Sequence, residues 1–194
     1  MTDIATLDGP VRSFFSRLEP LASGEPDMGA VSKLLVELAS DTEYWARDIA
    51  RFDAARAGTV DLLRQTEGPC LIFVHRPEGM MGAVHSHSTW VALAPITGTE
   101  THRQYDADRK SDRTASVSLR EERHLSASSH DVVHMTVPND IHAHGHAAGI
   151  GEAAYILVLT GEDQLKYERQ EYDLATSAWR TLAPGDPGHF RDKK

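Results

Sequence analysis

His85 and His87 stand one residue apart in the run Ala83-Val84-His85-Ser86-His87-Ser88-Thr89-Trp90-Val91. Side chains alternate across a strand, so both imidazoles leave the same face and can share one metal ion. Farther along, His142, His144 and His146 repeat the alternation, and a second strand carrying them can add a third ligand. Neutral imidazole binds iron, zinc, nickel, copper and manganese, so ligand type alone leaves the metal open. The charge is more informative. Neutral facial ligands leave the ion its full positive charge and half of an octahedron free. Such an ion attracts a thiolate through softness and charge together, with room beside it for a second donor and O2.

The wider spacing carries a resemblance. Gly79, five residues, His85-x-His87 and then Gly98 resembles the first motif of the cupin superfamily, the double-stranded β-helix or jelly-roll barrel. Most metal cupins place a glutamate after the histidine pair. The matching position here is Val91, behind Thr89 and Trp90, so the resemblance implies a site of histidines alone. With that departure, the H-x-H-x-x-W pattern is similar to the cysteine dioxygenase-like branch, the thiol and mercapto-acid dioxygenases. Pro138-Asn139-Asp140-Ile141-His142 resembles the second motif of that branch, whose Ile-His pair delivers the third ligand. The likeness spans residues 59–182. It implies a mainly β cupin barrel holding Fe(II) through His85, His87 and His142, with zinc, nickel and manganese as alternatives. It further implies O2-dependent oxidation of a small, carboxylate-bearing thiol to a sulfinate. No carboxylate is expected in the ligand set, and Glu100, beyond Gly98, is expected to point away from the metal.

Other site residues follow from the same resemblance. His144 and His146 share the strand face of His142 and rival it as third ligand; otherwise they orient ligands or substrate, or are polar residues at a cavity mouth. In the branch, a short segment after the third histidine often ends in asparagine, and that position here is His146. The Ser-x-His-x-Tyr row that helps cysteine dioxygenases position O2 and substrate falls on residues 153–160, which hold no histidine; only Tyr155 offers a hydroxyl. A substrate carboxylate calls for an arginine. Arg169, in Tyr167-Glu168-Arg169-Gln170-Glu171-Tyr172-Asp173, lies in a run similar to the Arg-x-x-aromatic-Asp segment of bacterial mercapto-acid dioxygenases. Arg64 resembles the early arginine of cysteine dioxygenases. The alternative for either arginine is a surface ion pair. His75, His102 and His134 have no motif support and are read as non-ligands. Trp90 is expected to pack on the site wall, and Cys70 to be a small buried apolar residue.

The elements that must position these groups change character along the chain. Val11, Phe14, Phe15 and Leu18 fit one helical face, with Pro20 near its end. Asp27 can cap a second helix with Val31, Leu34, Leu35 and Leu38 as its apolar stripe, and Asp41 or Thr42 a third carrying Tyr44, Trp45, Ile49 and Phe52. Gly58 suits a helical stop. After it, short strands alternate with turns: residues 71–74, a long strand or bent strand pair over 84–96, then 114–119, 132–137 and 155–159. Residues 103–113 are charged and read as an exposed loop. The expected division is a helical segment over 1–58 packed on the barrel, a barrel over 59–182 and a polar tail over 183–194.

Composition narrows the class. The 194 residues are 40% hydrophobic, enough for one core. A net charge of −9 argues against a phosphate-binding surface, so no nucleic acid is expected. The single cysteine excludes an intrachain disulfide. No apolar run spans a bilayer and residues 1–10 lack a signal-peptide pattern, so a cytoplasmic monomer or homodimer without membrane partners is expected. Two rival readings stand beside the thiol dioxygenase: another metal-dependent cupin enzyme, such as a carbon-acid oxygenase or isomerase, and a non-enzymatic cupin that senses a ligand.

Overall fold

The computed structural model describes residues 7, 9–52, 58–63 and 68–186. Three helices lead: α1 (Gly9–Ala22), α2 (Met28–Ala39) and α3 (Thr42–Ile49). The caps are the expected aspartates. Asp27 accepts from the Ala30 amide at 3.0 Å and Asp41 from the Tyr44 amide at 3.1 Å, each satisfying an amide that the first helical turn leaves orphaned. Pro20 lies inside the last turn of α1.

Strands follow in the order β1 (Gly58–Leu63), β2 (Cys70–His75), β3 (Val84–His85), β4 (Val91–Thr97), β5 (Thr99–Arg109), β6 (Ala115–Ser126), β7 (Val133–Met135), β8 (His142–Gly145), β9 (Tyr155–Thr160), β10 (Arg169–Asp173) and β11 (Ala178–Leu182). One sheet runs β1-β2-β9-β4-β7 and the other β11-β10-β3-β8-β5-β6. The inner runs β2-β9-β4-β7 and β3-β8-β5-β6 are the two four-stranded sheets of a jelly roll, the double-stranded β-helix of cupins. Gly58 opens β1 rather than ending a helix; residues 53–57 lie outside the described set. No helix among the described residues is long and apolar enough to cross a membrane.

The first sheet is covered on both faces, which is why β2, β4 and β9 read as near-continuous apolar runs. On its outer face Leu71, Phe73, Ala92, Ala94, Ile96, Leu157 and Leu159 join the helical stripe of Phe15, Leu18, Val31, Leu35 and Trp45 in one core. On its inner face Ile72, Val74, Val91, Leu93, Ile156 and Val158 form the apolar half of the barrel interior. Trp90 packs against the helical core.

Of the two forms expected for 84–96, the structure has the strand pair: two strands lie in different sheets, and residues 86–90 carry the chain across between them. One expectation about strands needs correction. Residues 103–113 are no loop: most of them belong to the hairpin of β5 and β6, closed by a turn near Asp112, whose carboxylate accepts from the Thr114 amide at 3.0 Å. The alternation of β5 is hidden because Glu100, His102 and Gln104 face a polar barrel interior. Gly98, at φ +69, lets the β4–β5 corner press on its neighbour; a Cβ there would lie 2.4 Å from the Ala153 carbonyl oxygen.

Candidate metal centre

His85 on β3 and His142 on β8 are direct cross-strand partners, so both side chains leave the same face of the sheet. His87, two residues past His85, completes a group whose ligand nitrogens all lie within 4.8 Å of one another. All three residues are buried. Nε2 of His85 and Nε2 of His87 approach to 3.0 Å, and Nε2 of His142 is buried without a partner.

Backbone carbonyls fix which nitrogen faces the centre. Nδ1 of His85 donates to the Ala83 carbonyl at 3.0 Å, and Nδ1 of His142 to the Asp140 carbonyl at 2.9 Å. With the proton held on Nδ1, each Nε2 presents its lone pair to the centre. Burial drives all three pKa values down, His85 to about 4 and the others well below the ordinary histidine range; Arg169 adds to the effect at His85 and His87, and neighbouring histidines add to it at His87 and His142. Neutral imidazoles with converging lone pairs repel one another unless a cation or proton lies between them. The residues present therefore fit a divalent ion.

Asp140 is the positioning group that the sequence did not single out. Its Oδ2 accepts from the amides of His87 at 2.8 Å and Ser88 at 3.1 Å, which holds the turn after β3, where Ser88 adopts φ +60. The same residue's carbonyl orients His142, so one buried residue fixes two of the three imidazoles.

A second polar layer lies beside the three histidines. His144 falls outside the clustered group; its Nδ1 comes within 3.0 Å of Glu100 Oε1, at an angle that makes no hydrogen bond. Glu100 is buried and lies opposite Leu125 of the inner core, so it points inward. The expectation that it turns away from the centre is corrected, although it does not join the histidine group. Burial raises its pKa well above the ordinary carboxyl value, against the pull of Arg76. His102, read from sequence as a non-ligand, lies outside the clustered group, pairs with His144 across β5 and β8 and stacks on His142 at 5.2 Å. Burial lowers its pKa to about 3, and Arg123 adds to the shift. Its alternation with Glu100 and Gln104 was the available signal. His146 is buried with both ring nitrogens unpartnered, outside the cluster.

Arg169 is brought to the centre. It lies on β10 two residues before Glu171, the cross-strand partner of His85. It is buried, donates through Nη2 to the Asp186 carbonyl at 2.7 Å, and leaves Nη1 without a partner. Tyr155 is not brought there. It shares the outward parity of Leu157 and Leu159 and stacks on His75 at 4.3 Å within the helix-covered core. The role expected for its hydroxyl at the centre is corrected accordingly. Arg64 lies outside the described residues. Cys70 is buried, as expected.

Fold and site together define a jelly-roll barrel, a double-stranded β-helix, with a candidate three-histidine metal centre. No family model and no curated protein matches the sequence. Among solved structures, a cupin superfamily protein from Desulfitobacterium hafniense is similar with a TM-score of 0.42 and 15% identity, over 58% of this chain and 84% of its own. An RmlC-like cupin family protein with a double-stranded β-helix fold from Methanocaldococcus jannaschii gives 0.41 and 16%, over 59% and 87%. The DMSP lyase DddQ from Ruegeria pomeroyi gives 0.40 and 15%, over 71% and 58%. Substrates and residue roles do not carry over at this distance; the chemistry has to be read from this chain's own side chains.

Proposed function

We propose that this chain is an Fe(II)-dependent thiol dioxygenase that oxidises a small carboxylate-bearing thiol to its sulfinate, R–SH + O2 giving R–SO2H. The observation that carries the reading is the group of His85, His87 and His142, three neutral imidazoles without a carboxylate among them. Ferrous iron bound there supplies the redox chemistry between O2 and sulfur, with its full positive charge available to an anionic thiolate. The chain's own residues do the rest. Ala83 and Asp140 hold the tautomers, Asp140 holds the turn that carries His87, and the free Nη1 of Arg169 offers a carboxylate a charged hydrogen bond beside the centre. The inner face of the first sheet, with Val91 and Leu93, keeps the other side of the barrel apolar.

A second reading, a metal-dependent cupin enzyme acting on a carbon acid, draws on Glu100. A buried carboxyl beside His144 is a group able to hold or move a proton, which an isomerase needs and a thiol oxygenase does not. O2 uptake by the Fe(II)-loaded protein with 3-mercaptopropionate separates the two, and an Arg169→Ala variant assayed in the same way tests the carboxylate contact. The thiol reading expects KM to rise about tenfold or more, the loss of a charge-assisted pair, with iron content unchanged. An unchanged KM contradicts the role of Arg169.

A further inference from the structure

Ser86 and Ser88 stand on either side of His87, and both hydroxyls reach across to the chain that carries Arg169. Regular pairing of β3 with β10 ends at His85 and Glu171. One residue on, the Ser86 amide still donates to the Gln170 carbonyl at 2.9 Å. A regular antiparallel pair of this kind returns a second bond, from the Gln170 amide to the Ser86 carbonyl. Here the Gln170 amide donates to Ser86 Oγ instead, at 3.0 Å, and Ser86 Oγ donates in turn to Gln170 Oε1 at 2.9 Å. The chain is already leaving the sheet at this point, and the hydroxyl takes the place of the departing carbonyl. Two residues farther, Ser88 Oγ donates to the Glu168 carbonyl at 2.6 Å.

The result is a double bracket. The two serines flank His87, and the two residues they hold, Glu168 and Gln170, flank Arg169. Asp140 grips the same turn from the segment before β8, which relates His87 to His142. The serine hydroxyls relate it to Arg169. Ser86 is buried, so little water is at hand to replace its bonds when they are lost. The guanidinium itself is anchored through Nη2 to the Asp186 carbonyl, which leaves Nη1 for a ligand.

We propose that Ser86 and Ser88 are positioning residues that set the spacing between the three-histidine group and Arg169, and that this spacing selects the chain length between thiol and carboxylate. The inference rests on the thiol reading for the reacting group and on Arg169 as the partner of the carboxylate. A guanidinium held at one distance from the sulfur site pairs well with one length of acid and poorly with its neighbours. Once the hydroxyls are gone, the Arg169 segment can shift against His87 and the lengths become nearly equivalent.

The test is anaerobic titration of the Co(II)-loaded protein, in which thiolate-to-cobalt absorption reports binding without turnover. The probes are mercaptoacetate, 3-mercaptopropionate and 4-mercaptobutyrate, which differ only in length, and ethanethiol, which lacks the carboxylate. One acid should bind about tenfold or more tighter than the other two, the increment of one well-placed charge-assisted pair. Ser86→Ala should reduce that preference to about threefold or less, which is half of the increment in free energy. Ser88→Ala, at an exposed site, should reduce it in the same direction. Ethanethiol affinity and cobalt content should stay unchanged in both. In Arg169→Ala protein, adding Ser86→Ala should change no affinity, because the serine acts through the arginine. Equal weakening of acids and ethanethiol, additive losses from Ser86→Ala and Arg169→Ala, or a length preference that is absent from the unaltered protein or survives both serine variants, overturns the proposal. O2 uptake by the Fe(II) protein, measured separately, distinguishes the two readings. Thiol-dependent uptake whose length preference survives both serine variants sinks the bracket alone. A serine-dependent length preference without uptake sinks thiol oxygenation and keeps the bracket. No thiolate absorption with any probe overturns both.

Discussion

At the scale of single residues, the centre depends on imidazoles that stay neutral and converge. Replacing His87 with alanine should remove most bound metal and leave the barrel folded, as metal analysis beside far-UV circular dichroism would reveal; full occupancy contradicts its role as a ligand. Asp140 should matter almost as much, although it donates no atom to the metal. Asp140→Ala frees the turn after β3, so metal affinity should fall by about 10–100-fold, the usual cost of losing a group that orients ligands. A chelator competition titration reads this directly, and an unchanged affinity refutes the positioning role. The histidines were legible in the sequence because parity and spacing survive without coordinates. The grip of Asp140 on His87 was not, because it joins a side chain to a backbone amide across 53 positions and leaves no periodic trace.

At the scale of elements, the two faces of one sheet have separate duties. Residues of β9 alternate between the helical core and the barrel interior, and Tyr155 falls on the helical side. Tyr155→Phe should therefore leave metal affinity and turnover unchanged; a marked fall in kcat with intact metal content contradicts that placement. Phe73 is fully buried where the sheet meets α3 and packs on Trp45 and Phe52. Phe73→Ala should cost about 3–5 kcal/mol in a denaturant titration, the usual range for emptying such a site. The helices were legible because aspartate caps and apolar stripes are local signals. The strand β5 was not, because its inward residues Glu100, His102 and Gln104 are polar. The hydrophobic alternation that marks an ordinary half-buried strand is missing where the barrel interior is polar. Parity at Tyr155 failed for a related reason: a sheet buried on both faces shows no sequence difference between the face toward the site and the face toward the helices.

For the whole molecule, the buried histidines link folding to pH. In the folded protein His85 titrates near 4 and His102 near 3, against an ordinary 6.5, because burial disfavours their charged forms. Below pH 6.5 the unfolded chain takes up protons that the folded chain refuses. Stability of the metal-free protein should thus be level above that pH and fall as pH drops from 6.5 toward 4. Denaturation midpoints across that window check the sign, and stability that rises on acidification contradicts it.

Thiol oxygenation itself is tested most directly by O2 consumption. Protein loaded anaerobically with Fe(II), verified as fully occupied, is mixed with air-saturated buffer and cysteine, cysteamine, 3-mercaptopropionate or mercaptosuccinate. The account predicts O2 uptake with a carboxylate-bearing thiol, matched by an equal amount of sulfinate. A fully loaded ferrous protein that consumes no O2 with any of them contradicts thiol oxygenation and leaves the carbon-acid reading of the same three-histidine centre.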